Sequence, residues 1–114
     1  WGRIINISSI GVQWRGVNQL HYAASKAGLI NLTRSIFKVY SDKGFISNAI
    51  SIGLIKTDMT KKELKTDLGL EKIKSIPCGR IWSVKDVADA VLFLSSESYI
   101  AGQTINVNGG MFFS

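Results

Sequence analysis

The sequence predicts an α/β fold, a parallel sheet of three strands with flanking helices. Two observations lead there. Three short runs, Arg3 to Ile7, Phe45 to Ser51 and Thr104 to Val107, have the apolar, β-branched character and length of strands. The segments between them repeat apolar residues at helical spacing. Strand, helix, strand, helices, strand calls for a parallel sheet with right-handed crossovers.

The first run is almost continuously apolar, as a sheet covered on both faces requires. After the loop Gly11 to Gly16, a long helix is expected from about Asn18 to Ser41. Ala23, Ala27 and Ile30, with Leu29, Leu32, Ile36 and Val39, cover more than one stripe of it, which predicts burial on two sides. Asp42-Lys43-Gly44 ends the helix, with Gly44 suited to a left-handed cap. Beyond the second strand, Thr60 to Glu63 reads as a capping box opening a short charged helix that Gly69 interrupts. Pro77 marks a break, and Ser83 with Asp86 caps a further helix whose expected inner face is Val84, Val87, Ala88, Val91 and Leu92. Asn108-Gly109-Gly110 turns the chain after the third strand.

Composition narrows the function classes. With 46% hydrophobic and 19% charged residues among 114, the chain has the makings of a packed core rather than of disorder. No apolar run approaches the ~18 residues of a membrane span. The lone Cys78 excludes an internal disulfide and suits a reducing compartment; beside Pro77 and Gly79 it reads as a small turn residue, not a nucleophile. The net charge of +6 favours acidic partners. Its concentration at Lys56, Lys61, Lys62, Lys65, Lys72 and Lys74 is not interleaved with aromatic residues, so a platform for single-stranded nucleic acid is not indicated. A solvated helix face explains the same run.

Chemistry is concentrated in His21-Tyr22-Ala23-Ala24-Ser25-Lys26. Tyr22 and Lys26, four apart, share one helix face. An ammonium in that position favours the ionised form of a nearby phenol, which makes the pair a plausible proton-transfer device. The same spacing also occurs on ordinary solvated helices.

The surroundings give the pair context. Ser9 ends the first apolar run thirteen residues before Tyr22, and Asn48-Ala49-Ile50-Ser51-Ile52-Gly53-Leu54-Ile55-Lys56-Thr57 closes the second. This order resembles the short-chain dehydrogenase/reductase family, which uses a serine, then Y-x-x-x-K, then N-x-x-x-P-G-x-[IV]-x-T. Ile76-Pro77-Cys78-Gly79-Arg80, Asp86-Val87-Ala88 and Gly102-Gln103-Thr104-Ile105-Asn106-Val107-Asn108-Gly109-Gly110 are similar to the family's C-terminal signature, with the 3-oxoacyl-acyl-carrier-protein reductases the nearest branch. The family's T-G-x-x-x-G-x-G turn, cofactor selector and N-N-A-G segment have no counterpart in these 114 residues. The resemblance therefore implies the C-terminal part of a Rossmann-like doubly wound parallel sheet. Residues 1–114 would be the C-terminal half of a single NAD(P)-binding domain, and the fragment alone is expected to be inactive.

By the same resemblance Ser9, Tyr22 and Lys26 are the catalytic residues, and Tyr22, Lys26, Gly53, Ile55 and Thr57 bind the cofactor, NADPH in preference to NADH; no metal is expected. Ser8 is an adjacent competitor to Ser9, which the family spacing favours. His21 has no catalytic part, and Trp14 and Trp82 read as packing or substrate-loop residues. Two departures stand out: Ile52-Gly53 replaces the family's P-G turn, and Trp82 stands where close relatives carry glycine. The implied function is ketone reduction on a small molecule or an acyl-carrier-protein thioester, by a cytoplasmic homodimer or homotetramer without nucleic acid or membrane partners. Alternatives are another short-chain alcohol dehydrogenase, or a non-catalytic assembly module.

Overall fold

Phe45 to Ile52 is the central strand of a three-stranded sheet in a computed structural model that describes residues 1–10, 20–53 and 65–114. The elements are β1 (Gly2–Ser9), α1 (Leu20–Tyr40), a 3-10 turn (Ser41–Lys43), β2 (Phe45–Ile52), α2 (Asp67–Lys74), α3 (Val84–Ser96) and β3 (Thr104–Val107). The sheet order is β1-β2-β3, and both pairings are parallel. The predicted α/β architecture is thus present, with β1 on an edge. β1 is longer than its apolar run because the ladder with β2 extends from Gly2 opposite Phe45 to Ser9 opposite Ile52.

Side chains alternate across a strand, and the two faces of this sheet differ in chemistry. Ile5, Ile7, Ile50, Ile52, Ile105 and Val107 point one way and pack on Val87, Ala90, Val91 and Leu94 of α3. The other face carries Asn6 and Ser8 beside the small buried residues Ser47, Ala49 and Ser51. There α1 is tied down by hydrogen bonds: Asn6 Nδ2 donates to Thr33 Oγ1 (2.9 Å) and Ser8 Oγ donates to the Lys26 carbonyl (3.0 Å).

Two helices on opposite faces, with strands added in one direction, require crossovers of opposite hand. The expectation that both are right-handed is therefore corrected. A second helix on the α1 side would leave the isoleucine row uncovered, and burying that row outweighs the usual preference of hand.

Several local expectations are also revised. In α1 the only fully buried residue is Thr33, and Leu20, Leu32 and Val39 are exposed, so its second apolar face is uncovered in this chain. Gly69 does not interrupt a helix. Thr66 caps α2, its Oγ1 accepting from the Gly69 N–H at 3.1 Å, so the glycine sits buried in the first turn. Thr60 to Glu63 lies outside the described residues. In α3 the inner stripe is Val87, Ala90, Val91 and Leu94, while Val84, Ala88 and Leu92 face outward. That helix is apolar on more than one side, and contact of Leu94 with the Ile50 layer selects the phase.

Other turns form as expected. Gly44 adopts φ 79°, the left-handed cap after the 3-10 turn. Ser83 and Asp86 form the capping box of α3, the Ser83 N–H donating to Asp86 Oδ2 at 2.8 Å. Arg3 reaches across to the other end of α3, its Nε donating to the Glu97 carbonyl at 3.0 Å. Asn48, 1% exposed, staples the loop before β3: its Nδ2 donates to Ile100 O (2.8 Å) and its Oδ1 accepts from Gln103 N (3.0 Å).

Two outcomes follow from these contacts. A Cβ on Gly53 would lie 2.9 Å from both Cα and Cβ of Asn108, so Gly53→Ala is expected to lower stability by about 1–3 kcal/mol through backbone displacement, measured by denaturant unfolding. The carboxyl of Asp86 is held down to about 2, first by the Arg80 guanidinium that donates to it and then by the Ser83 N–H. A lowered carboxylate stabilises the fold above its unfolded value near 3.8, and this is lost as pH falls toward 2. Thermal melts between those limits should show an acid-dependent loss that is smaller in Asp86→Asn.

Candidate active site

In open α/β sheets, sites form beyond the carboxyl ends of the strands. Ser9 is the last residue of β1, and its register partner Ile52 immediately precedes Gly53. The carboxyl ends of β1 and β2 thus bring Ser9 and Gly53 to one edge. Gly53 is fixed there by its N–H, which donates to Val107 O at 2.9 Å, and by its contact with the Asn108 backbone.

Helix α1 returns from this edge, so its first two turns lie beside the end of β1. Lys26 Nζ donates to the carbonyl of Ile7 at 2.9 Å. The same ammonium lies 5.6 Å from the centroid of the Tyr22 ring. Tyr22 is 38% exposed. Positions four apart on α1 therefore face the strand end together, as their spacing predicts.

Ser8 and Ser9 are separated by strand alternation. Ser8 is 1% exposed, and its hydroxyl is committed to the Lys26 carbonyl beneath α1. Ser9 is half-buried at the last position of the strand. Sequence reasoning placed Ser8 only as a competitor to Ser9 and missed this bond. A polar residue inside an apolar run was the available signal, since buried hydroxyls find partners.

The remaining candidates are placed as follows. Ile55 and Thr57 lie outside the described residues, as do Trp14, Lys61 and Lys62. His21 is exposed at the start of α1. Trp82 packs against the core cluster, and the Arg80 guanidinium lies 5.0 Å from its ring centroid. Its indole also lines a pocket of about 460 Å³ with Cys78, Asn106, Asn108 and Phe112, which includes none of Ser9, Tyr22 and Lys26. Asn108 shapes that region, its Nδ2 donating to Phe112 O (3.0 Å) and its Oδ1 accepting from Gly110 N (3.0 Å).

Comparison with known proteins matches this geometry to a family. The family described as Enoyl-(Acyl carrier protein) reductase matches residues 1–112. The 3-oxoacyl-[acyl-carrier-protein] reductase FabG of Aquifex aeolicus is 46% identical over 114 residues, covering 98% of this chain and 46% of the relative. The FabG of Rickettsia felis is 48% identical over 113 residues, with 97% and 46% covered. Among solved structures, a short-chain dehydrogenase/reductase (glucose/ribitol dehydrogenase) from Brucella melitensis superposes with a TM-score of 0.88 at 31% identity, covering 98% of this chain and 46% of that one. A blue fluorescent protein from a metagenomic library, solved with NADPH, superposes at 0.84 with 31% identity, covering 96% and 44%. The chain spans about half the length of the curated relatives it matches. A match running through strand, Y-x-x-x-K helix and closing strand in one unbroken order means that the chain belongs to the short-chain dehydrogenase/reductase family.

Proposed function

We propose that residues 1–114 are the C-terminal half of a single NAD(P)-binding Rossmann-like domain, and that the complete protein reduces ketones. The observation that carries this reading is the Lys26 ammonium, held on the Ile7 carbonyl at the end of β1 and 5.6 Å from the Tyr22 ring. The residues present fit a nicotinamide cofactor. An ammonium has three N–H donors; with one on Ile7, two suit a pair of ribose hydroxyls. Gly53 gives a side-chain-free approach at the end of β2, and the motif assigns the carboxamide to the Ile55 backbone and the Thr57 hydroxyl. Neighbours solved with NADPH or NADP support the phosphorylated cofactor.

When bound, a reduced nicotinamide supplies hydride to the carbonyl carbon of the substrate. Negative charge develops on the carbonyl oxygen, and this chain's residues answer it. The Tyr22 hydroxyl gives its proton to that oxygen, and the Ser9 hydroxyl donates a hydrogen bond to it. Donors aimed where charge develops lower the barrier most. Lys26 keeps positive charge beside the phenolate that Tyr22 becomes.

The substrate reading is a 3-oxoacyl thioester on acyl-carrier protein, supported by the FabG relatives and by the net charge of +6, which suits an acidic carrier. Lys65, exposed before α2, belongs with Lys61 and Lys62 to the basic run that such a carrier would meet. Among the described residues no helix is long and apolar enough to cross a membrane. A cytoplasmic homodimer or homotetramer, with exposed Leu20, Leu32 and Val39 of α1 available for contact, completes the reading.

Tyr22→Phe in the complete protein should lower ketone reduction by at least ~10²-fold with an unchanged melting temperature. Steady-state turnover near that of the unaltered enzyme would defeat the assignment. The purified 114-residue chain should neither bind NADPH at micromolar concentration nor reduce a ketone, because the Gly-rich turn that receives a pyrophosphate is supplied elsewhere in the domain. Calorimetric titration with a parallel reduction assay checks this; measurable turnover by the chain alone overturns the half-domain reading.

A further inference from the structure

We propose that Ser8, the neighbour of the catalytic candidate Ser9, is a positioning residue that holds Lys26, and through it Tyr22, against the carboxyl end of β1. The proposal rests on the functional reading above.

Ser8 is 1% exposed, and its Oγ donates to the backbone carbonyl of Lys26 at 3.0 Å across a separation of 18 residues. A carbonyl has two lone pairs, so one inside a helix accepts this second bond without unwinding the turn. Lys26 answers with its own side chain, Nζ donating to the Ile7 carbonyl at 2.9 Å. The strand's side chain thus grips the helix backbone, and the helix's side chain grips the strand backbone one residue away. The two bonds close a small cycle around Ile7, Ser8 and Lys26.

Among the described residues, Ala23, Leu29 and Ile30 of α1 are only partly buried. The only fully buried residue of α1 is Thr33, bonded to Asn6 and about 10 Å further along the helix axis. Leu20 and Tyr22 in the first turn are exposed, so the clasp is the directional tie at the helix end that bears the chemistry. Without the Ser8 hydroxyl, Lys26 keeps a single bond to the strand through a flexible four-carbon stem. The ammonium then no longer reports a fixed distance between strand end and phenol. Reacting groups tolerate little such misplacement, since displacements near 1 Å slow reactions by up to about 10²-fold.

The test uses the complete enzyme with a free ketone and NADPH. Ser8→Ala should lower kcat about tenfold while leaving KM for the ketone within about twofold, the pattern of a lost transition-state alignment. Ser8→Thr keeps a hydroxyl on Cβ and should restore kcat to within about threefold. Thr33→Val removes the other strand-to-helix bond, and should lower the melting temperature while leaving kcat within about twofold. A Ser8→Ala enzyme with unaltered kcat overturns the proposal, as does a Thr33→Val enzyme slowed equally, which would mean general loosening of α1. If Ser8→Thr crowds its site and does not fold, the comparison of Ser8→Ala with Thr33→Val decides alone. Absence of ketone reduction by the unaltered complete protein would instead overturn the functional reading beneath it.

Discussion

Helix α1 is tied to its sheet by directional hydrogen bonds, and the placement of the candidate site depends on them. Among the described residues, the bonds that join it to β1 include Asn6 to Thr33, Ser8 to the Lys26 carbonyl, and Lys26 to the Ile7 carbonyl. A buried polar atom left without a partner is expensive, so each of these bonds is close to obligatory once the helix covers the strand. Directionality follows. Apolar contacts tolerate rotation and small shifts, whereas a hydroxyl 3.0 Å from a carbonyl fixes both the distance and the angle. The polar face of the sheet is thus where precision is needed, and the isoleucine face toward α3 is where most apolar surface is buried.

The two faces explain the topology. A sheet with Ile50, Ile52 and Ile105 on one side needs a cover there, and α3 supplies it with Leu94, Val91 and Val87. That demand produces a second crossover opposite in hand to the first. Asn48 closes the arrangement by stapling the loop between α3 and β3 on the α3 side, so helix cover and strand insertion are fixed by one buried amide.

Legibility in the sequence tracked the range of the interaction. β3 and the start of β2 lie where the apolar runs and their bounding glycines put them, because those signals are local. The Ser83–Asp86 cap and the Tyr22–Lys26 pair depend on spacings of three and four residues and were readable for the same reason. The partner of Ser8 is 18 residues away and those of Asn48 are 52 and 55 away, so nothing beside them announced their roles. The phase of α3 was obscured because Val84, Ala88 and Leu92 are as apolar as the residues that are buried. Gly69 misled for another reason: a glycine whose N–H is claimed by a Thr66 cap starts a helix, although the same residue in mid-helix weakens one.

The row Ser47, Ala49 and Ser51, each at 0% exposure, makes the floor beneath α1 unusually smooth. Small side chains let a helix sit close, but they offer few ridges to stop it from sliding lengthwise. The Ser47 hydroxyl, buried with no partner among the described residues, adds no detent. Bonds from β1 at the edge of this layer restrain the helix lengthwise, so the fold combines a low-relief bearing surface with a latch at its rim.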